Sequence, residues 1–122
     1  MRFILCVLFV LSFIVYSQDI LLHLRNNDII LLAKQQYGNQ GHARIKSWLN
    51  FIDESANKNE WKKIHLVNNF FNEKIKYKSD QALWQQTDYW ATPLESLGTG
   101  MGDCEDYVIA KYFTLLALDV PE

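Results

Sequence analysis

One short stretch of this chain has the residue types for nucleophilic chemistry: Gly100-Met101-Gly102-Asp103-Cys104-Glu105-Asp106-Tyr107. The sequence holds two cysteines, Cys6 and Cys104. Cys6 lies in an apolar N-terminal run and is assigned no role, so Cys104 stands alone. A lone cysteine in an exported protein closes no internal disulfide. It is either a small apolar filler of the core or a thiol kept free for reaction. Acids and glycines are poor core material, and they suit the first turn of a helix, whose positive end favours a thiolate.

The same neighbours raise a problem. Asp103, Glu105 and Asp106 crowd negative charge around the sulfur, and carboxylates beside a thiol oppose its ionisation. Helix-end effects of about 0.3 to 1 kcal/mol are small against several close charges. A divalent cation would resolve the conflict, because clustered oxygen ligands suit calcium and a bound cation reverses the local field. The alternative is that the three acids only cap the helix and face water, since the twelve-residue calcium-loop pattern is absent. A cysteine nucleophile also needs a base. Only His23, His42 and His65 are available. His42 is read in a glycine-flanked loop and His65 inside a helix, both as structural residues, and no histidine follows Cys104.

The elements that must position Cys104 are legible from caps and periodicity. Residues 1–17 read as a signal peptide: Arg2, an apolar run from Phe3 to Tyr16, and Val15-Tyr16-Ser17 before a cut near Gln18. The run is shorter than the roughly 20 residues that span a bilayer, so no membrane span is expected after cleavage. Residues 18–122 then form one domain. Net charge is −2, and loss of Arg2 makes the chain more acidic, which argues against a nucleic-acid surface.

Asn27-Asp28 and Tyr37-Gly38 bound a helix over about 28–37. Ile45, Trp48, Leu49 and Ile52 mark an amphipathic helix from Ala43 to Ser55, and Trp61, Ile64, Val67, Phe71 and Ile75 a third to about residue 76. Residues 76–89 read as a connecting loop with a helical turn at Gln81–Trp84. Thr92, Pro93 and Glu95 form a capping box for a brief helix ending at Gly98. Gly98, Gly100 and Gly102 offer tight or left-handed turns, without the Gly-Lys-Ser/Thr of a phosphate loop. Asp103 caps a last helix, Cys104–Leu118, with Asp106 as capping partner. That helix is apolar on nearly every side and is therefore expected to be enclosed.

Taken together, Tyr37-Gly38, Trp48, the 67–72 segment Val-Asn-Asn-Phe-Phe-Asn, Asp88-Tyr89-Trp90-Ala91-Thr92-Pro93-Leu94-Glu95 and Gly102 to Phe113 resemble the bacterial transglutaminase-like cysteine proteinases, the family of LapG-like periplasmic proteases. The resemblance implies an α+β, papain-like/transglutaminase-like fold, present here mainly as its helical N-terminal part, with the following sheet missing. It implies Cys104 as nucleophile, Asp103, Glu105 and Asp106 as Ca2+ ligands, and a catalytic His and Asp after Glu122. It further implies a periplasmic calcium-dependent protease of a Gram-negative bacterium that cuts a large surface adhesin in biofilm release. Such a protease is restrained by an inner-membrane cyclic di-GMP receptor. A truncated, non-catalytic relic or binding module of the same fold, and acyl transfer to amines, are the rival expectations.

Overall fold

The computed structural model describes residues 27–122, so the expected signal peptide, Cys6 and His23 lie outside the described residues. Helix α1 runs Asn27–Ser55 and is kinked at Gly38 (φ 72°, ψ −170°). The two helices expected before and after residues 38–42 therefore meet without a loop. His42 is helical and half-buried. Glycine is the residue that takes a positive φ at no steric cost, so the whole break fits into one position.

Helix α2 covers Glu60–Lys74 and is capped by Asn59, whose side chain accepts from the Lys62 N–H at 2.9 Å. Val67, Phe70 and Phe71 face the core. Trp61, expected on that face, is exposed and stacks on His65 with ring centroids 6.0 Å apart. Strand β1 (Lys76–Tyr77), helix α3 (Asp80–Trp84), helix α4 (Pro93–Thr99), strand β2 (Met101–Gly102) and helix α5 (Cys104–Ala117) follow. The capping box of α4 is present with both of its bonds, from the Glu95 N–H to Thr92 Oγ1 and from the Thr92 N–H to Glu95 Oε2.

The loop expected after residue 76 hides a strand. β1 and β2 pair in parallel, Lys76 opposite Met101 and Tyr77 opposite Gly102. Two residues are too few for an alternation pattern to show, and pairing supplies what local sequence does not. Of the three glycines around β2, Gly100 is the one in the left-handed region (φ 68°), where it ends α4. A Cβ there would meet the Arg44 guanidinium at 2.8 Å. Arg44 lies against this turn because it donates to the Leu97 and Gly98 carbonyls at 2.6 and 2.8 Å, neutralising the C-terminal end of α4.

The core lies between α1, α2, α4 and α5, with Ile45, Trp48, Ile52, Phe71, Leu97, Ala110 and Leu118 buried in one cluster. Two polar ties set the rotation of α5. Trp48 Nε1 donates to Thr114 Oγ1 at 2.9 Å, and the Tyr107 hydroxyl donates to the Ile75 carbonyl at 2.5 Å. The expectation that α5 is enclosed is met on one side only. Ala110 and Thr114 are fully buried, whereas Val108, Tyr112 and Phe113 are 66, 44 and 49% exposed. An all-round apolar helix needs cover on every side, and the described residues supply it only on the face that carries Ala110 and Thr114.

Candidate active site and acidic cluster

The site is built from the head of α5 outward. Cys104 is the first residue of the helix and is exposed. Asp103 precedes it in extended conformation, and its side chain accepts from the Asp106 N–H at 3.5 Å. Asp106 Oδ2 reciprocates, accepting from the Asp103 N–H at 3.1 Å. Sulfur thus sits at the positive end of a helix held by a reciprocal cap, as its spacing suggested.

Asp106 does more than cap. Its residue is fully buried, and Oδ1 accepts the Ala91 N–H at 2.9 Å, so the head of α5 is fastened to the segment leading into α4. Burial raises the Asp106 pKa above its ordinary value. The backbone bonds from Ala91 and Asp103 work in the opposite direction, and the charges of Asp103 and Asp80 add to the rise. Gly102 permits the close approach, since a Cβ there would lie 2.8 Å from Asp106 Cβ.

Asp80, which sequence reasoning placed in a loop and gave no role, completes the cluster. It stands at the start of α3, it is 5% exposed, and its Oδ2 accepts the Tyr89 N–H at 2.7 Å. The Tyr89 hydroxyl in turn donates to Glu95 Oε1 at 2.5 Å. Carboxylate oxygens of Asp80, Asp103 and Asp106 lie within 4.8 Å of one another. Oxygens bound to one calcium at 2.3–2.6 Å are at most about 5 Å apart, so this spacing suits such an ion. Asp80 Oδ1 is buried and has no hydrogen-bond partner among the described residues, a costly state for a charged oxygen and one that a cation would relieve. The residues present therefore fit calcium. Glu105 is exposed and does not join this convergence. No local signal marks Asp80, because it is 24 residues before Cys104 and its partners come from chain folding.

No imidazole partner for Cys104 is found among the described residues. His65 stacks on Trp61 along α2, and His42 is on α1. The geometry can present a thiol to a substrate carbonyl from a rigid helix end. An added base would complete an attacking pair.

Comparison with known proteins agrees with this architecture. Legionella pneumophila LapG matches with a TM-score of 0.63 and 40% identity over 77% of this chain and 51% of that one. An EGTA-treated structure of the same protein also matches at 40% identity, and a calcium-bound one at 38%, each with a TM-score of 0.63. The chain spans about half the length of these solved chains. Among curated proteins nothing matches. The model of the bacterial transglutaminase-like cysteine proteinases matches residues 39–122, a stretch that contains α2 to α5, the acidic cluster and Cys104. With its helical N-terminal half of the transglutaminase-like fold and a free cysteine at the head of α5, the chain belongs to the bacterial transglutaminase-like cysteine proteinases.

Proposed function

We propose that the chain is the nucleophile-bearing part of a calcium-dependent cysteine protease of the periplasm that cuts a large surface adhesin. The supporting observation is the exposed Cys104 thiol at the capped head of α5, in a chain of this family. In this reading Cys104 is the catalytic residue, with Asp103 and Asp106 as calcium ligands; Glu105, exposed and outside their convergence, would have to turn toward the ion to join them. An apolar leader over residues 1–17 would direct export, and no helix among the described residues is long and apolar enough to cross a membrane. An inner-membrane cyclic di-GMP receptor is the proposed regulatory partner.

The chain's own residues perform the following steps. Asp103 and Asp106 hold the first turn of α5, the turn that begins with Cys104, through their reciprocal bonds. The thiolate of Cys104 attacks a substrate peptide carbonyl, a C–S bond forms, and the C–N bond breaks to leave an acyl-enzyme and an amine. Water then hydrolyses the thioester and returns the thiol. The thiol proton would pass to a histidine oriented by an aspartate and from it to the leaving amine; no imidazole lies beside Cys104 among the described residues to do this. Calcium, when bound, supplies positive charge that offsets the acids beside the sulfur.

The test is cleavage of the N-terminal region of an adhesin encoded by the same genome. The full-length protein is expected to cut it, and Cys104→Ala to leave it intact. Undiminished cutting by the alanine variant would remove Cys104 from the mechanism. Thioester transfer to an added amine in place of hydrolysis would favour the acyl-transfer reading.

A further inference from the structure

We infer that Trp90, with Asp88 at the edge of its ring, is a docking site for a lysine or arginine side chain of the protein substrate, on a segment fastened to the head of α5. This rests on the protease reading above and goes beyond it by naming the chemistry that flanks the cut bond. The first observation is that Trp90 is 68% exposed and yet held in place. Its indole Nε1 donates to Asp88 Oδ1 at 3.1 Å. Tyr89, before it, is tied through its N–H to Asp80 Oδ2 and through its hydroxyl to Glu95 Oε1, and its ring centroid lies 4.5 Å from that of Trp84. Ala91, after it, is 1% exposed and donates its N–H to Asp106 Oδ1. Both neighbours are anchored, so the indole is presented to solvent on a stiff segment. A ring held this way offers a large contact area with little rotamer freedom left to lose on binding. Trp61, the other strongly exposed tryptophan, instead stacks on His65 of its own helix.

The second observation is place. Asp106 accepts the Ala91 N–H with Oδ1 and the Asp103 N–H with Oδ2, so one carboxylate holds together the residue after Trp90 and the residue before Cys104. The third is charge. Residues 79–110 include both Trp90 and Cys104, and they contain six acids and no lysine, arginine or histidine. Arg44, which approaches this stretch from α1, is engaged by the Leu97 and Gly98 carbonyls. Asp80 and Asp106 are buried, whereas Asp88 and Glu105 are exposed. An aromatic face attracts a cation through its quadrupole, and a carboxylate at the ring edge adds a charge-assisted partner for the same group. An aliphatic side chain would use the ring and leave Asp88 idle, and an acidic one would be repelled. Trp90 and Asp88 thus select the segment that is held, while bond cleavage stays with Cys104.

The experiment uses the full-length protein, with the N-terminal region of an adhesin encoded by the same genome as probe. KM and kcat are measured for wild type, Trp90→Ala, Trp90→Phe and Asp88→Asn. Asparagine keeps an oxygen for the indole N–H and removes the charge. Trp90→Ala is expected to raise KM about tenfold with kcat within about twofold of wild type, Trp90→Phe to raise KM less, and Asp88→Asn to raise it about threefold. The wild-type KM is expected to rise with ionic strength, and that of Asp88→Asn to rise less. A second arm changes the probe and so depends on the folding of no variant. Lysine and arginine residues flanking the cut are replaced by glutamine, and wild type is expected to lose as much in KM as Trp90→Ala does. Combining the two changes is expected to add little further. An unchanged KM for Trp90→Ala, with or without a lower melting temperature, overturns the inference and leaves the role of Cys104 standing. Fully additive effects of the two changes overturn it as well. A raised KM for Trp90→Ala without any response to Asp88→Asn, to salt or to the glutamine probe overturns the basic side chain in favour of an aliphatic one. Failure of wild type to cut the adhesin would overturn this inference together with the protease reading itself.

Discussion

The buried carboxylate of Asp106 accepts the Ala91 N–H at 2.9 Å and, with its second oxygen, the Asp103 N–H at 3.1 Å. One side chain thereby joins the entry to α4 and the head of α5, two segments that otherwise have no covalent reason to meet. Asp106→Ala removes both acceptors and leaves buried donors unpaired. The expected loss is roughly 2–5 kcal/mol of unfolding free energy, measured by urea denaturation in chelator. Asp106→Asn keeps one acceptor and should fall between alanine and wild type.

Calcium removal should slow alkylation of Cys104. Iodoacetamide reacts with the thiolate form, and a cation placed next to a sulfur favours that form. The full-length protein is expected to be carboxamidomethylated faster at pH 7 in calcium than in EGTA. Equal rates would remove the metal from the activation of the sulfur.

Tyr89 makes stability respond to alkaline pH. Its pKa is raised above the ordinary 10.0, first by the hydrogen bond to Glu95 and then by burial and by the charge of Glu95. The folded protein therefore holds the phenol proton to higher pH than the unfolded chain does. The stabilisation is complete below pH 10 and is lost as pH rises through the raised value. Tyr89→Phe is expected to flatten the decline of melting temperature above pH 10. Tyr37, Tyr107 and Tyr112 are raised as well and will retain part of the slope.

Trp48 and Thr114 couple α1 to α5 in the interior. Trp48→Phe deletes the donor at 2.9 Å and some buried ring volume, whereas Thr114 Oγ1 keeps its bond to the Ala110 carbonyl at 2.7 Å. A loss of about 1–3 kcal/mol is expected by chemical denaturation. Cleavage should persist under conditions where the variant is folded, because this contact lies two turns or more along α5 from Cys104.

Much of the scaffold was legible because its signals are local. Asn59 before α2, the Thr92-Pro93-Glu95 box and the Asp103-Asp106 box each satisfy helix N–H groups with side chains one to three residues away, so composition at fixed offsets reveals them. The periodic placement of Ile45, Trp48, Leu49 and Ile52 likewise announced a buried face that the fold uses. The position of Cys104 at a helix head follows from the same local rules.

What folding alone decided involves partners far apart in the chain. The β1–β2 pair joins residues 76–77 with 101–102, and neither dipeptide carries a period of its own. Asp80 resembles any acid in a polar loop until Tyr89, Asp103 and Asp106 surround it. Glu105 resembles its neighbours in sequence, yet one step of about 100° around a helix turns it to solvent while Asp106 turns inward. Helix phase and long-range packing assign each carboxylate its surroundings, and neither is written in the residue types themselves.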